Sequence, residues 1–113
     1  MHPMSEVPEI TPLDLKSRLD QGQVPVLVDV RESFEQQIAD LPEHGQHRIP
    51  TGEFPRRFSE LDRSDEIVVY CRSGSRSAWA VAVLMQQGYE RVYNLHGGVL
   101  AWRRDVDPSL KAY

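Results

Sequence analysis

Short apolar runs recur along the chain and are separated by polar segments that suit helices and turns. The runs rich in β-branched residues cover residues 24–30, 67–70 and 92–95. Nearly continuous apolar runs of this length are typical of strands that are buried on both faces of a parallel sheet. Because helical segments lie between the runs, we predict an α/β fold in three layers, a mainly parallel central sheet with helices on both faces.

Polar caps and glycines set the bounds of the predicted helices. Thr11 is a good N-cap ahead of Pro12, and the helix that they begin should stop near Gly22. Ser33 is expected to cap a short helix through Ile38. The other predicted helical segments are a weak one at 51–61, a helix at 76–87 that ends at Gly88, and a last one at 99–104.

Length and composition indicate a soluble single-domain protein. The 113 residues suit one domain, with residues 1–8 as a loose N-terminal arm or short edge segment and residues 105–113 as a C-terminal tail. The net charge of −4 argues against a nucleic-acid binder. The first residues lack the pattern of a signal peptide, and no apolar run is long enough to span a membrane. We therefore expect a cytoplasmic protein with neither a nucleic acid nor a membrane as its partner.

The single cysteine, Cys71, limits what thiol chemistry is available. One thiol excludes an intramolecular disulfide, a CxxC redox centre and a cysteine-based zinc site within one chain. The histidines, which are His2, His44, His47 and His96, show no ligand spacing with carboxylates. We therefore predict neither a metal site nor a cofactor.

Cys71 directly follows the predicted strand 67–70 and begins a loop of small and basic residues. The loop that leads into the predicted helix contains Cys71, Arg72, Ser73, Gly74, Ser75 and Arg76. Ligands of open α/β sheets bind outside the carboxyl ends of the strands, which is where Cys71 falls. Small residues allow the loop to curl until its backbone N–H groups converge on an anion. The helix N-terminus adds a partial positive charge, and Arg72 and Arg76 add full charges.

These surroundings favour a Cys71 thiolate, and they also suit a persulfide whose anionic outer sulfur lies where the amides converge. The residues predict two-stage covalent catalysis, in which the thiolate takes a sulfane sulfur from a donor and an acceptor nucleophile then removes it. Arg72 and Arg76 are candidates for holding a small anionic donor such as thiosulfate. The alternative for Cys71 is an inert buried cysteine. The alternative for the arginines is a solvated surface charge or a brace for the loop.

Three motifs, in this order, resemble the rhodanese family over residues 10–102. They are Asp29-Val30-Arg31-Glu32, the loop Cys71-Arg72-Ser73-Gly74-Ser75-Arg76-Ser77, and a closing motif made of Gly88-Tyr89, Val92-Tyr93-Asn94-Leu95 and Gly97-Gly98-Val99-Leu100-Ala101-Trp102. The resemblance implies a rhodanese-like fold in which Cys71 carries the sulfur and the amides of residues 72–76 cradle the persulfide. Two arginines in the loop resemble the thiosulfate-using type of the family rather than the mercaptopyruvate-using type. Asp29 and Arg31 are implied to lie near the base of the loop and to form structural hydrogen bonds.

The tail, residues 105–113, is similar to the tail found in one group within the rhodanese family. The members of this group are fused to adenylyltransferases that activate sulfur carriers. This similarity makes a sulfur-carrier protein a candidate acceptor beside a thioredoxin-like dithiol. One departure concerns residues 39–50, which are longer than the compact His-Ile-Pro-Gly-Ala stretch of the family and lack its pattern. We therefore expect a different local geometry there.

Two other functions share these sequence features. A cysteine phosphatase also holds a thiolate in an anion cradle, but it has a longer loop than the four residues, 72–75, that separate Cys71 from Arg76 here. It also needs a general acid, and no aspartate is clearly placed for that role. A non-catalytic binding or redox-sensing module can use the same fold. Cys71 argues against a purely binding module, whereas a sensor that forms an intermolecular disulfide stays open.

Overall fold

Five strands alternate with helices along residues 7–113, the part of the chain that the computed structural model describes. The strands are β1 (Glu9–Ile10), β2 (Val26–Asp29), β3 (His47–Arg48), β4 (Ile67–Tyr70) and β5 (Val92–Leu95). The α-helices are α1 (Pro12–Asp20), α2 (Phe54–Arg57), α3 (Ser75–Gln86) and α4 (Gly98–Asp105). Short 3-10 helices cover Ser33–Gln37 and Phe58–Glu60. Within these residues, no helix is long and apolar enough to cross a membrane.

The sheet is parallel throughout, with the strand order β1-β5-β4-β2-β3. Val69 of the central strand β4 is in register with Val28 of β2 on one side and with Asn94 of β5 on the other. Parallel pairing brings the carboxyl ends of β2, β4 and β5 to the same edge of the sheet. The predicted α/β fold with a parallel sheet is confirmed.

Apolar side chains fill both faces of the sheet, because successive residues of a strand point to opposite sides. Val28 and Val69 belong to the core under α2 and α3. Leu27 and Val68 belong to the core on the opposite face, where Trp102 of α4 and residues of α1 pack. These strands are buried on both faces, which is what their continuous apolar runs predict.

Helix starts agree with the sequence prediction at α1 but not at the first 3-10 helix. Thr11 caps α1, since its hydroxyl oxygen accepts a hydrogen bond from the backbone N–H of Asp14 at 3.1 Å. The predicted cap at Ser33 is wrong, because the N-cap is Glu32 and Ser33 is already helical. The carboxylate of Glu35 accepts from the backbone N–H of Glu32 at 2.9 Å. Glu35 makes the bond that the third helical residue contributes to a capping box, so a pair of glutamates begins this helix.

The edge strands β1 and β3 each have two residues, too few to show a period in the sequence. Of the predicted N-terminal arm, residues 1–6 lie outside the described residues. Val7 is buried, and the carbonyl oxygen of Pro8 accepts from the backbone N–H of Asn94 at 2.8 Å. Residues 7–8 are therefore packed along β5.

The unusual segment 39–50 is tied to the sheet by a charged network. The guanidinium of Arg48 donates to Asp29 at 2.7 Å and contacts Asp40 at 2.8 Å. The hydroxyl of Tyr70, the last residue of β4, donates to Asp40 at 2.7 Å. Burial and these two carboxylates raise the pKa of Tyr70 well above its usual range. The segment thus has a fixed position beside the end of β4, where Cys71 begins the loop.

Candidate active site

Cys71 lies at the carboxyl end of β4, directly after Tyr70. Only 1% of the residue is exposed, and its side chain packs in the core under α3. Burial alone fits an inert cysteine as well as a reactive one. The groups that touch the sulfur therefore decide between the two interpretations.

Three hydrogen-bond donors converge on the Cys71 sulfur. The backbone N–H of Gly74 lies 3.1 Å from Sγ, and that of Ser77 lies 3.4 Å away. The hydroxyl of Ser77 lies 3.3 Å from the same atom. Donors of this kind stabilise the charged form of an acceptor, and each bond to a charged group is worth about 1.5–3 kcal/mol. The surroundings of Sγ therefore offer three hydrogen bonds to a charged form of the sulfur.

Gly74 gives the loop the sharp turn that aims its amide at Sγ. Its φ of +109° lies in the region that favours glycine, and its carbonyl oxygen accepts from the side-chain amide of Asn94 at 3.1 Å. A Cβ on Gly74 would lie 3.4 Å from the backbone nitrogen of Gly97. The loop is thus held from behind by β5 and by the turn before α4.

The N-terminus of α4 supports the loop from below. The backbone N–H of Val99 donates to the carbonyl oxygen of Cys71 at 2.9 Å, and the backbone N–H of Leu100 donates to the carbonyl oxygen of Arg72 at 3.0 Å. These donors belong to the first turn of the helix, where backbone N–H groups have no partner inside the helix. A Cβ on Gly98 would lie 2.5 Å from both carbonyl oxygens. The glycine therefore permits the close approach that fixes the start of the loop.

Arg76 is paired with Glu35, which comes from the 3-10 helix after β2. Its two terminal nitrogens contact the two carboxylate oxygens at 2.8 and 2.9 Å. The Glu35 side chain is only 6% exposed. The hydrogen bonds from Arg76, opposed by burial and helped by the capping contact, lower the pKa of Glu35 from 4.5 to about 2. The pKa of Arg76 is raised, chiefly by Glu35 and to a lesser extent by the nearby Cys71.

Arg72 contacts Tyr113 in the C-terminal tail. Its Nε donates to the backbone carbonyl oxygen of Tyr113, and its guanidinium lies 5.2 Å from the centre of the tyrosine ring. The hydroxyl of Tyr113 donates to Glu35 at 3.0 Å, so the tail also touches the partner of Arg76. Both loop arginines therefore contact other parts of the chain, which orients their side chains.

Arg31 and Asp29 lie at the base of this arrangement. The Arg31 side chain is fully buried and forms a two-pronged pair with Asp29 at 2.9 and 3.1 Å. It also donates to the carbonyl oxygen of Ala39 at 2.7 Å and to the hydroxyl of Tyr113 at 2.9 Å. With so many partners, Arg31 holds neighbouring segments together, which is the structural role that the family resemblance implies.

The remaining predicted residues, Ser73 and Ser75, are exposed and line a cleft of about 340 Å³ on the loop. Its other walls are formed by Glu9, Gly74, Ala78, Asn94, His96 and Gly97. The structure thus brings Cys71 and Gly74 together, and places Ser73 and Ser75 at the surface. Within residues 7–113, no three His, Cys, Asp or Glu side chains are placed to hold a metal ion.

Sequence reasoning gives no role to Ser77, Asn94 or Glu35, although all three belong to the site. The hydroxyl of Ser77 touches Sγ, Asn94 binds the carbonyl of Gly74, and Glu35 binds Arg76. Ser77 carries a usable signal, because it lies in the first turn of the helix that follows Gly74. Glu35 lies 41 residues before its partner Arg76, and Asn94 lies 20 residues after its partner Gly74, so no local pattern links them to the loop.

The sequence pattern of the rhodanese-like domain matches residues 11–105. A protein named sulfurtransferase from Allochromatium vinosum is 44% identical over 98 residues, which cover 87% of this chain and 90% of the relative. A probable adenylyltransferase/sulfurtransferase, MoeZ of Mycobacterium tuberculosis, is 33% identical over 92% of this chain. This chain spans only 26% of that relative. The predicted similarity to rhodanese domains of adenylyltransferases is confirmed.

Solved structures agree with this match. The crystal structure of a rhodanese-related protein from Thermoplasma volcanium superimposes with a TM-score of 0.77 at 28% identity. The similarity covers 88% of this chain and 93% of that protein. The sheet and the layers of helices described above are therefore those of a known fold.

Proposed function

Since the chain belongs to the rhodanese family, we propose that it is a sulfurtransferase whose Cys71 carries the transferred sulfur as a persulfide. The family and the relatives named sulfurtransferase support sulfur transfer in general. The observation that carries the finer proposal is the set of three donors that converge on Sγ. They stabilise the thiolate before the reaction and again after the sulfur has left.

Loading of Cys71 needs no external oxidant or reductant. The thiolate Sγ attacks the outer sulfur of thiosulfate, and the sulfur–sulfur bond of the donor breaks with its electron pair on sulfite. The products are the Cys71 persulfide anion and sulfite, so charge and electrons balance. An acceptor such as cyanide then attacks the outer sulfur, leaves as thiocyanate and restores the thiolate.

Of the two arginines, Arg72 is the one that we propose as the main ligand of an anionic donor. Both terminal nitrogens of Arg76 contact Glu35, so much of its charge is already compensated. Arg72 uses only Nε in its hydrogen bond within residues 7–113, which leaves the donors on its terminal nitrogens for a ligand. The role of Arg76 in this account is to add positive potential near Cys71 and to brace the loop against Glu35.

A dithiol or a sulfur-carrier protein is the proposed cellular acceptor, in a reducing compartment such as the cytoplasm. The support is the similarity to MoeZ, whose name joins an adenylyltransferase with a sulfurtransferase. Because Cys71 is only 1% exposed, the acceptor thiol has to lie on a narrow segment of its protein that can approach the buried sulfur.

The proposal predicts that the protein forms thiocyanate from thiosulfate and cyanide. Cys71→Ser should lose this activity completely, because a hydroxyl cannot accept the sulfur. Arg72→Ala should raise the KM for thiosulfate about tenfold, the loss expected for one charge-assisted hydrogen bond. The control is Arg63→Ala, which removes an exposed arginine away from the loop. Turnover by Cys71→Ser, or hydrolysis of an aryl phosphate by the parent protein instead, would contradict the proposal.

A further inference from the structure

The hydroxyl of Ser77 has one proton and three acceptors within reach. Sγ of Cys71 lies at 3.3 Å, the side-chain oxygen of Asn94 at 2.5 Å and the carbonyl oxygen of Gly74 at 3.2 Å. Ser77 is fully buried, so no water competes for the bond. The hydroxyl therefore donates to whichever of these acceptors carries the most negative charge.

The charge on Sγ changes during sulfur transfer, whereas the two oxygens stay as they are. Sγ carries a negative charge when it reacts as a thiolate, and it is the uncharged inner sulfur of a persulfide in the loaded protein. A thiolate competes well for the hydroxyl proton, and the inner sulfur of a persulfide competes poorly. The Ser77 hydroxyl is thus placed to turn from Asn94 towards Sγ as the sulfur leaves.

We propose that Ser77 is a catalytic residue that stabilises the departing Cys71 thiolate when the persulfide is discharged. In this step the acceptor attacks the outer sulfur, the bond between the two sulfurs breaks, and its electron pair stays on Sγ. Negative charge grows on Sγ in the transition state, so a hydrogen bond to this atom lowers the barrier. The proposal rests on the persulfide function proposed above.

The same hydrogen bond has a different effect on loading. There Sγ is the attacking atom and loses charge on the way to the transition state, so the bond stabilises the starting state more. Removal of the hydroxyl should therefore slow discharge and leave loading unchanged or somewhat faster. This asymmetry separates a catalytic role from a merely structural one, which would affect both steps together.

Asn94 is the residue that keeps the hydroxyl in place between the two states. Its side-chain amide donates to the carbonyl of Gly74 at 3.1 Å, which turns its oxygen towards Ser77. Asn94 is 2% exposed and lies on β5, so its position is fixed by the sheet. The hydroxyl is therefore oriented in both states by groups that need not move.

The test measures the two half-reactions separately in single turnovers. Protein is loaded with thiosulfate, freed of excess donor and mixed with cyanide, and the loaded fraction is followed by intact mass. We expect Ser77→Ala to discharge about tenfold more slowly than the parent, the cost of one hydrogen bond to a charged group, with loading within about twofold. Under turnover, the loaded fraction of this variant should exceed that of the parent.

A second pair of variants guards against effects of packing. Ser77→Thr and Ser77→Val have the same shape, and only the first keeps a hydroxyl. Discharge of the persulfide should be about tenfold faster in Ser77→Thr than in Ser77→Val, the same factor that separates the parent from Ser77→Ala. The role of Ser77 would be overturned by equal rates of discharge for the parent and Ser77→Ala and for Ser77→Thr and Ser77→Val. It would also be overturned if loss of the hydroxyl slowed loading and discharge equally. Failure of the parent to load would instead overturn the persulfide function itself.

Discussion

Glu35 shows how burial and pairing fix the charge of one side chain that binds the loop. Its carboxylate is almost fully buried and binds Arg76 through both oxygens, and it also accepts from Tyr113. Its pKa falls from 4.5 to about 2, chiefly because of Arg76. The carboxylate therefore remains charged in the folded protein under conditions that protonate an ordinary glutamate.

This pKa predicts how stability depends on pH. Because the folded value lies below the unfolded one, the contribution of Glu35 is complete above about pH 4.5 and is lost as pH falls towards 2. Glu35→Gln should lower the free energy of unfolding by about 2 kcal/mol at pH 7, and the difference from the parent should shrink below pH 4.5. Urea unfolding across this pH range measures the effect.

Glu90→Gln is the matched control, since it removes an exposed carboxylate. It should change the free energy of unfolding by less than about 0.5 kcal/mol at every pH. A Glu35→Gln difference that stays constant down to pH 2 would show that the carboxylate is not held charged by Arg76.

At the scale of elements, the site is assembled where strand ends meet helix starts. The carboxyl end of β4 delivers Cys71, the start of α3 supplies the amide of Ser77, and the start of α4 binds the carbonyl of Cys71. Helix N-termini provide backbone donors without a partner inside the helix, so both helices can hold the loop. The loop keeps its shape because it is fixed from two sides.

The contact between α4 and the loop predicts a large effect of Gly98→Ala. The new Cβ would lie 2.5 Å from the carbonyl oxygens of Cys71 and Arg72, so α4 or the loop has to shift. We expect a loss of about 3 kcal/mol in the free energy of unfolding, the sum of the cost of a positive φ and of overpacking. Sulfur transfer should fall as well.

Gly22→Ala separates the two costs. Gly22 also has a positive φ, +74° against +62° for Gly98, but nothing lies within 4 Å of its added Cβ. This control should therefore lose only about 1 kcal/mol and keep full activity. Equal losses for the two variants in urea unfolding would show that close contact with the loop does not matter.

At the scale of the whole molecule, local signals predict the central strands of the sheet and the candidate nucleophile, Cys71. The apolar runs give β2, β4 and β5, and Gly88 with φ +89° follows α3 as predicted. Cys71 is recognised because strand, small residues and helix adjoin it in sequence. Each of these features depends on residues within a few positions of one another.

Features that depend on distant residues are beyond such reasoning. Glu35 meets Arg76 across 41 positions, and Asn94 meets Gly74 across 20. The sequence also predicts two arginines that bind the donor, whereas Glu35 already engages one of them. Which charged side chains meet depends on the order of the strands in the sheet. A strand of two residues, such as β1, is too short to show an alternation of apolar and polar residues, so the sequence does not reveal this order.

The central claim is that Cys71 holds the transferred sulfur, and the mass of the intact protein after treatment with thiosulfate tests it most directly. We expect one added sulfur atom on the parent protein, its loss on addition of cyanide, and no added sulfur on Cys71→Ser. An unchanged mass of the parent, or a disulfide-linked dimer in place of the added sulfur, would contradict it.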